Sequence, residues 1–188
     1  MSRPVVIILA AGRGERFLAS GGKTHKLEAL LGDHSVLTHV MQAVETAGLP
    51  WHLVRPEGGT GGMGESISLG VRATAEASGW LILPADLPLI QPASLLSVAE
   101  ALGDKGIVVP HYRQQAGHPV GFRREYGEAL LALKGDVGAR EIVMDARRRG
   151  DVGNVWLSDR GVVFDVDTVG DLEKAQGVLD GKKEWGDG

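Results

Sequence analysis

A glycine-rich basic segment follows the first apolar run of the chain. It reads LAAGRGERF over residues 9–17, and Lys23 and Lys26 come soon after it. Glycine has no side chain, so the backbone N–H groups of such a turn can approach phosphate oxygens closely. Within residues 9–26 the chain has one acid, Glu15, and four fixed cations, although its overall formal net charge is −4. The cations are Arg13, Arg16, Lys23 and Lys26. This local reversal of sign predicts that the segment binds a phosphate-bearing polyanion.

Two aspartate motifs could supply the hard oxygen ligands that Mg²⁺ prefers. Asp86 stands in PADLPL, just past an apolar run, and the motif FDVDT contains Asp165 and Asp167. Alternation along an extended segment places the latter two carboxylates on one side, where they could hold a cation together with Asp86. The same motifs also suit structural roles: Asp86 could close a turn, and Asp167 or Thr168 could cap a helix.

Two known phosphate-loop patterns compete for the basic segment, and both fit it poorly. A Walker A loop needs Gly-Lys followed by Ser or Thr, which residues 22–24 provide, but Phe17 stands where the other glycine belongs. A Rossmann fingerprint begins correctly with Gly12 and Gly14, but Phe17 again replaces a glycine. The second predicted strand then ends in Arg55 instead of an acid, which leaves an NADP-dependent oxidoreductase formally open.

Apolar periodicity predicts the elements that position these residues. Residues 5–10 form a continuous aliphatic run, as expected for a parallel strand covered on both faces, and we expect a loop from there to about Leu31. Helices and strands then alternate: helix 36–47, strand 51–54, helix 65–77, strand 80–83, helix 94–102 and strand 106–110. This alternation favours an α/β fold with a mostly parallel sheet.

The pattern loosens after Pro110, so we expect a change of topology within residues 112–118. His118 stands at a strand entry before a proline, where it could hydrogen-bond an acceptor substrate or serve the structure alone. Asp136 lies in the tight-turn motif GDVGAR and is interpreted as a helix cap. The later elements are strand 119–123, helices near 125–133 and 139–148, strands near 154–157 and 161–164, and an amphipathic helix 169–179.

Length and composition predict one domain over residues 1–180 and a disordered tail over residues 181–188. The negative net charge argues against general nucleic-acid binding. The N-terminal apolar run is too short to span a membrane and lacks a cleavage-site pattern. The chain contains no cysteine, which suits a reducing compartment such as the cytoplasm.

Six segments in this order resemble the motifs of the MobA-like nucleotidyltransferases, most closely those of the molybdenum cofactor cytidylyltransferase (MocA) type. The resemblance spans nearly the whole chain. It implies a Rossmann-like three-layer αβα fold of the nucleotide-diphospho-sugar transferase kind, with a mostly parallel sheet, in a Mg²⁺-dependent enzyme. The segments are LAAGRGERF, HKL at 25–27, GMGESISLGV at 62–71, PADLPL, GHPVGF with GDVGAR, and FDVDTVGDL.

The resemblance also implies a role for each matching residue. The residues implied to hold the base and the ribose are Ala11, Gly12, Gly62, Gly64 and Ser66. Those implied to hold the triphosphate are Arg13, Gly14, Arg16 and Lys26. Those implied to hold Mg²⁺ are Asp86 and Asp167, with Asp165. Arg16, Lys26 and Asp86 would be the catalytic residues. His118 would face the acceptor, and the motifs GHPVGF and GDVGAR would both lie on the acceptor side. A long gap after Arg16 leaves Lys23 as an alternative to Lys26.

The implied reaction moves CMP, or another nucleoside monophosphate, from a nucleoside triphosphate onto a phosphorylated acceptor. Ala11 makes the motif LAAG, which resembles the CTP-using branch, whereas GTP users tend to show LAGG; a guanylyltransferase therefore stays an alternative. The resemblance implies an acceptor of the molybdopterin type, and a molybdoenzyme or a chaperone as a protein partner. A carrier that binds a nucleotide or cofactor without turnover is the other alternative.

Overall fold

The computed structural model describes residues 3–181. Residues 182–188, which make up most of the predicted tail, lie outside the described residues. The strands are β1 Val5–Leu9, β2 Leu30–Leu31, β3 His34–Ser35, β4 Trp51–Val54, β5 Gly79–Pro84, β6 Ile107–Tyr112, β7 Gln115–Ala116, β8 Val120–Arg123 and β9 Val152–Leu157. The helices are α1 Glu15–Ala19, α2 Val36–Ala47, α3 Met63–Ala73, α4 Pro92–Ala101, α5 Gly127–Leu131, α6 Arg140–Arg148 and α7 Val169–Leu179.

Seven of the strands described within residues 3–181 form one central sheet in the order β4-β1-β5-β8-β6-β7, with β9 on the other side of β6. β1 is parallel to both β4 and β5, and β6 is parallel to β9. β8 lies antiparallel between β5 and β6, and β7 forms a short antiparallel hairpin with β6. The sheet is therefore mostly parallel, as predicted. The antiparallel strands β7 and β8 lie within and directly after the segment 112–118, where a change of topology was expected.

Alternate residues of the central strands enter two separate cores, because side chains of a strand point to opposite faces of a sheet. Val6 and Ile8 pack with α2 and α4 on one face. Ile7 packs with α3, α5 and α6 on the other face, where Trp80 and Phe122 are also fully buried. Helices thus cover both faces, and the three-layer α/β architecture is confirmed.

Two sequence predictions were wrong about the kind of element, and the helix predicted at 65–77 instead spans Met63–Ala73. The segment up to Leu31 is not a plain loop: it contains α1, a 3-10 turn at Lys26–Glu28 and the strand β2. α1 has only five residues, too few to show a helical period, and it is held by Phe17, which is buried against Ala29 and Val166. The predicted strand at 161–164 is instead a 3-10 turn at Arg160–Val162, which begins at a side-chain cap from Asp159.

The described helices can be compared with the length and hydropathy that a membrane span requires. No helix within residues 3–181 is both long and apolar enough to cross a bilayer. The longest of them, α2, has 12 residues and packs its apolar side on the sheet, whereas a membrane-spanning helix needs about 20 apolar residues.

Candidate functional site

The carboxyl ends of β4, β1 and β5 lie side by side, and the loops that leave them border a cleft. In open parallel sheets this edge is the usual place for ligands. The cleft has a volume of about 670 Å³, within the range of about 300–1,000 Å³ that is common for small-molecule sites. Its lining residues are Leu9, Ala11, Gly12, Arg13, Gly14, Glu15, Arg16, Lys26, Leu27, Thr60, Gly61, Gly62, Met63, Ser66, Pro84, Asp86, Asp136 and Asp167.

Lys26 joins the two aspartate motifs at one end of this cleft. Its ammonium donates to Asp86 Oδ2 at 2.9 Å and to Asp167 Oδ1 at 3.2 Å. Burial alone would lower the pKa of Lys26, but the charges and hydrogen bonds of Asp86 and Asp167 outweigh it and raise the pKa. Arg16 Nη1 lies 3.8 Å from Asp167 Oδ2 on a mostly exposed side chain. The basic turn and both aspartate motifs therefore meet in one place.

The three aspartates form a cluster that could hold a metal ion. Asp86, Asp165 and Asp167 each offer one carboxylate oxygen, and these oxygens lie within 4.8 Å of one another. Burial, a hydrogen bond to Asp167 and the negative charges of Asp167 and Asp86 raise the pKa of Asp165 to about 6. Burial would also raise the pKa of Asp167, but the hydrogen bond from Asp165 and the ammonium of Lys26 outweigh it and lower the pKa.

Backbone contacts bring the two aspartate motifs together. Val166 N–H donates to the carbonyl of Asp86 at 2.8 Å, and the Val166 side chain is fully buried. Asp165 and Asp167 flank this anchor, which places their carboxylates beside that of Asp86. Of the two residues that the sequence offered as the cap of α7, Thr168 takes this role and forms a capping box with Asp171. The carboxylate of Asp167 is therefore not used as the cap.

The glycine turn after β1 is fixed by a histidine from the next basic motif. His25 Nδ1 accepts a hydrogen bond from Leu27 N–H at 3.2 Å, so Nε2 can donate to the carbonyl of Gly12 at 2.5 Å. The same ring lies 3.6 Å from the position that a Cβ on Gly14 would occupy. His25 therefore holds the turn against the segment that carries Lys26.

The second glycine-rich loop, residues 58–64, packs against the GDVGAR motif at residues 135–140. A Cβ on Gly62 would collide with the carboxylate of Asp136, and a Cβ on Gly64 would collide with the carbonyl of Val137. Glu65 N–H donates to the carbonyl of Gly135 at 3.2 Å, which ties the two segments together. Both glycines are thus required by close backbone approach, and Gly64 is buried away from the cleft.

Most of the predicted site residues line the cleft, and three do not. Gly64 is covered as described, Asp165 belongs to the carboxylate cluster at the rim, and His118 lies behind Asp86. Burial lowers the pKa of His118 more than the Asp86 charge raises it, and its backbone N–H donates to Val162 at 2.9 Å. Lys23 is exposed and does not line the cleft, whereas Lys26 does.

Sequence reasoning did not single out Thr60 or Asp136 as residues that line the cleft, and it included Met63 only as part of the segment 62–66. Thr60 lines the cleft and hydrogen-bonds Ser66 Oγ at 2.6 Å, and Met63 lines it beside Gly62. Asp136 does not cap α6, whose cap residue Ala139 receives no side-chain hydrogen bond; it lines the cleft instead. The resemblance implied the acceptor side for the motif that carries Asp136. Its approach to Gly62 is a long-range contact that spacing could not reveal.

A comparison with known families matches residues 43–151 to the MobA-like NTP transferase domain. This range covers more than half of the chain and contains the second glycine-rich loop, Asp86 and Asp136. Lys26 and Asp167 lie outside the matched range, so their place in the site rests on the distances given above.

Solved structures with the same fold align over nearly the full chain. A nucleotidyl transferase from Methanothermobacter thermautotrophicus superposes with a TM-score of 0.79 at 18% identity, covering 96% of this chain and 99% of that one. Rv0371c from Mycobacterium tuberculosis, in complex with manganese, superposes with a TM-score of 0.73 at 22% identity, covering 93% and 98%. A 4-diphosphocytidyl-2C-methyl-D-erythritol synthase from Anaerococcus prevotii gives 0.71 at 15% identity, covering 95% and 99%. At these identities the likeness shows the fold.

One curated protein shares a short, closely similar stretch. It is YagP of Escherichia coli K12, named for a LysR family substrate binding domain, and it is 81% identical over 26 residues. The stretch is 14% of this chain and 19% of that protein. The chain therefore spans about a fifth of the length of this relative.

Proposed function

The chain belongs to the family of MobA-like NTP transferase domains, and on that premise we propose that it is a nucleotidyltransferase of the molybdenum cofactor cytidylyltransferase type. It transfers CMP from CTP to a phosphorylated acceptor of the molybdopterin kind and releases pyrophosphate. Mg²⁺ is its metal cofactor. The residues proposed to act are those of the cleft beyond β1, β4 and β5.

One observation carries this proposal: Lys26 contacts Asp86 and Asp167 at the same time, next to the glycine turn. A site for a metal-bound triphosphate needs cations and carboxylates within a few ångströms, because the phosphates bind cations and the metal binds carboxylates. In most surface regions such charges only neutralise each other. Here they line a cleft large enough for a nucleotide, which supports a functional reason for their placement.

The donor chemistry of the cluster fits Mg²⁺. Asp86, Asp165 and Asp167 offer only oxygen atoms, the ligands that a hard cation prefers. The raised pKa of Asp165 reflects in part the like charges beside it, and a cation would relieve that repulsion. When bound, Mg²⁺ neutralises part of the charge on the triphosphate and on the departing pyrophosphate.

The proposed reaction is an in-line displacement at the α-phosphorus. An oxygen of the acceptor phosphate forms the new P–O bond, and the bond between the α-phosphorus and the oxygen bridging to the β-phosphorus breaks. That oxygen keeps the electron pair and leaves with pyrophosphate. Lys26, Arg16 and the N–H groups of the glycine turn stabilise the charge that develops, and no general base is needed, since the acceptor phosphate is already ionised at neutral pH.

The choice of CTP rests on Ala11, which lines the cleft and makes the motif LAAG. His118 and its loop are the proposed acceptor side. A pyrophosphate-release assay with CTP, GTP, UTP and ATP, each with a phosphorylated pterin and with Mg²⁺ or EDTA, tests the proposal. Turnover with CTP that needs both the pterin and Mg²⁺ is expected. Faster turnover with GTP would make the protein a guanylyltransferase, and nucleotide binding without any turnover would make it a carrier.

A further inference from the structure

Asp136 lines the cleft, and its carboxylate makes no hydrogen bond or ion pair within residues 3–181. It stands between α5 and α6 and is exposed to the cleft. Its carboxylate lies against Gly62, so closely that a Cβ there would collide with it. Arg13 and Glu15 line the cleft and are likewise unpaired within that range, but they stand in the glycine turn and at the start of α1, whereas Asp136 lies against Gly62. A free carboxylate in a cleft otherwise suited to a polyanion calls for a separate reason.

The position of Asp136 separates it from the proposed metal end. Gly62 follows β4, whereas Asp86 follows β5, and β1 lies between these two strands. Neighbouring strands are about 4.8 Å apart, so the two loops leave the sheet about 10 Å from each other. The cleft therefore has a carboxylate at each end, with the basic glycine turn between them. Only the end at Asp86 has Lys26 to offset the negative charge.

An uncompensated carboxylate repels phosphate and accepts hydrogen bonds from neutral donors. A nucleoside triphosphate offers such donors at its base: cytosine, adenine and guanine carry an exocyclic amino group. Uracil and thymine present a carbonyl oxygen at the position where cytosine has its amino group. That oxygen, facing the carboxylate, would leave two acceptors without a proton between them, which costs binding energy.

We propose that Asp136 accepts a hydrogen bond from the exocyclic amino group of the bound base and thereby selects cytosine against uracil. This inference rests on the proposed function, because it assigns the end of the cleft at Gly62 to the base and the end at Asp86 to the triphosphate. Thr60, Ser66 and Met63 line the same end and form its polar and apolar walls. Asp136 is a specificity-determining residue that takes no part in the displacement at phosphorus.

CTP and UTP are the matched probes, because they differ in this region by an amino group and a carbonyl oxygen. The dissociation constants of both nucleotides are measured with Mg²⁺ for the wild type, for Asp136→Asn and for Asp136→Ala. The exposed Asp104→Asn serves as the matched control, since Asp104 lies at the turn after α4. We expect the wild type and the control to bind CTP at least about tenfold more tightly than UTP, and both Asp136 variants to lose most of this ratio.

The outcomes separate the two levels of the proposal. If the ratio of the CTP and UTP dissociation constants is unchanged in folded Asp136 variants, this inference is overturned, whether both affinities stay the same or fall by the same factor. That result leaves the proposed function standing. A wild-type protein that binds none of the nucleoside triphosphates overturns the proposed function and this inference together. Asp136→Ala removes the carboxylate beside Gly62 and adds no bulk there. If Asp136→Asn fails to fold, the alanine variant therefore still tests the inference.

Discussion

Lys26 and Asp86 form an ion pair of 2.9 Å although they lie 60 residues apart in the chain. Both side chains are mostly buried, with 15% and 18% of their surfaces exposed. The ammonium takes carboxylate oxygens that a divalent cation would also bind. When a nucleotide and a metal ion bind, the Asp86 carboxylate would therefore contact the metal, and the Lys26 ammonium would contact the phosphates.

Asp86→Asn should lower kcat by about 100-fold or more, because the amide keeps the shape but loses the charge that would hold the metal. Pyrophosphate release at saturating CTP and Mg²⁺ measures the effect. Asp104→Asn is the control and should match the wild type. Activity of Asp86→Asn within a few-fold of the wild type would remove Asp86 from the mechanism.

Lys26→Ala and Lys23→Ala separate the two lysines that the sequence left as alternatives. Lys26→Ala should reduce kcat/KM for the nucleotide by about 100-fold, since Lys26 lines the cleft beside both aspartates. Lys23→Ala should change it by no more than about twofold, because an exposed solvated cation contributes little. The steady-state kinetics of the two variants decide between them, and a larger loss in Lys23→Ala would reverse the assignment.

Mg²⁺ should stabilise the protein more at about pH 7.5 than at about pH 5, because below its pKa of about 6 Asp165 carries a proton that competes with the metal. The sign follows from the raised pKa. An acid with a higher pKa in the folded state adds stability at low pH, and that stability is lost as the pH rises through 6.

Thermal unfolding in EDTA and in Mg²⁺ at both pH values measures this effect, and Asp165→Asn should weaken its pH dependence. An equal Mg²⁺ shift at the two pH values in the wild type would mean that Asp165 does not take part in metal binding.

His25→Asn should raise KM for the nucleotide while leaving the fold intact. Asparagine can still accept the hydrogen bond from Leu27 N–H as a cap, but its shorter side chain cannot reach the carbonyl of Gly12. The lost bond of about 1 kcal/mol predicts a KM about fivefold higher. His34→Asn, on an exposed position of the β2–β3 hairpin, is the control. A fall in kcat with KM unchanged would argue against a positioning role.

Gly12→Ala should fold normally and bind nucleotide poorly. A Cβ at Gly12 meets no atom within 4 Å in the protein itself, so the added methyl group would project into the cleft where the ligand binds. Gly170→Ala, with only an ordinary 3.6 Å contact to Thr168, is the matched control. We expect neither variant to melt below the wild type, since neither added Cβ collides with the protein. We expect at least about tenfold weaker CTP binding for Gly12→Ala alone. Normal affinity in that variant would place the phosphates elsewhere.

The sequence by itself predicted the elements with strong periodicity and the motifs at their ends. The helix at 36–47 and the strand at 51–54 were predicted with the bounds that the structure has. The apolar residues of the helix repeat at the helical period up to Gly48, and the strand is a short, mostly apolar run after that glycine. The glycine turn and Asp86 follow strands, so their place at one edge followed from the rule for parallel sheets.

Tertiary structure decided what local patterns could not express. The 3-10 turn at Arg160–Val162 replaced a predicted strand, because the buried Asp159 takes hydrogen bonds from Gly161 and from residues at the start of α4. Thr168 became the cap of α7 and left Asp167 for Lys26. Asp136 reached the cleft through its contact with Gly62. The cap of α7 is local, but the contacts of Asp159 with α4, of Asp167 with Lys26 and of Asp136 with Gly62 join residues far apart in the chain. The free energy of such contacts is set by packing in three dimensions, which the spacing of residue types does not encode.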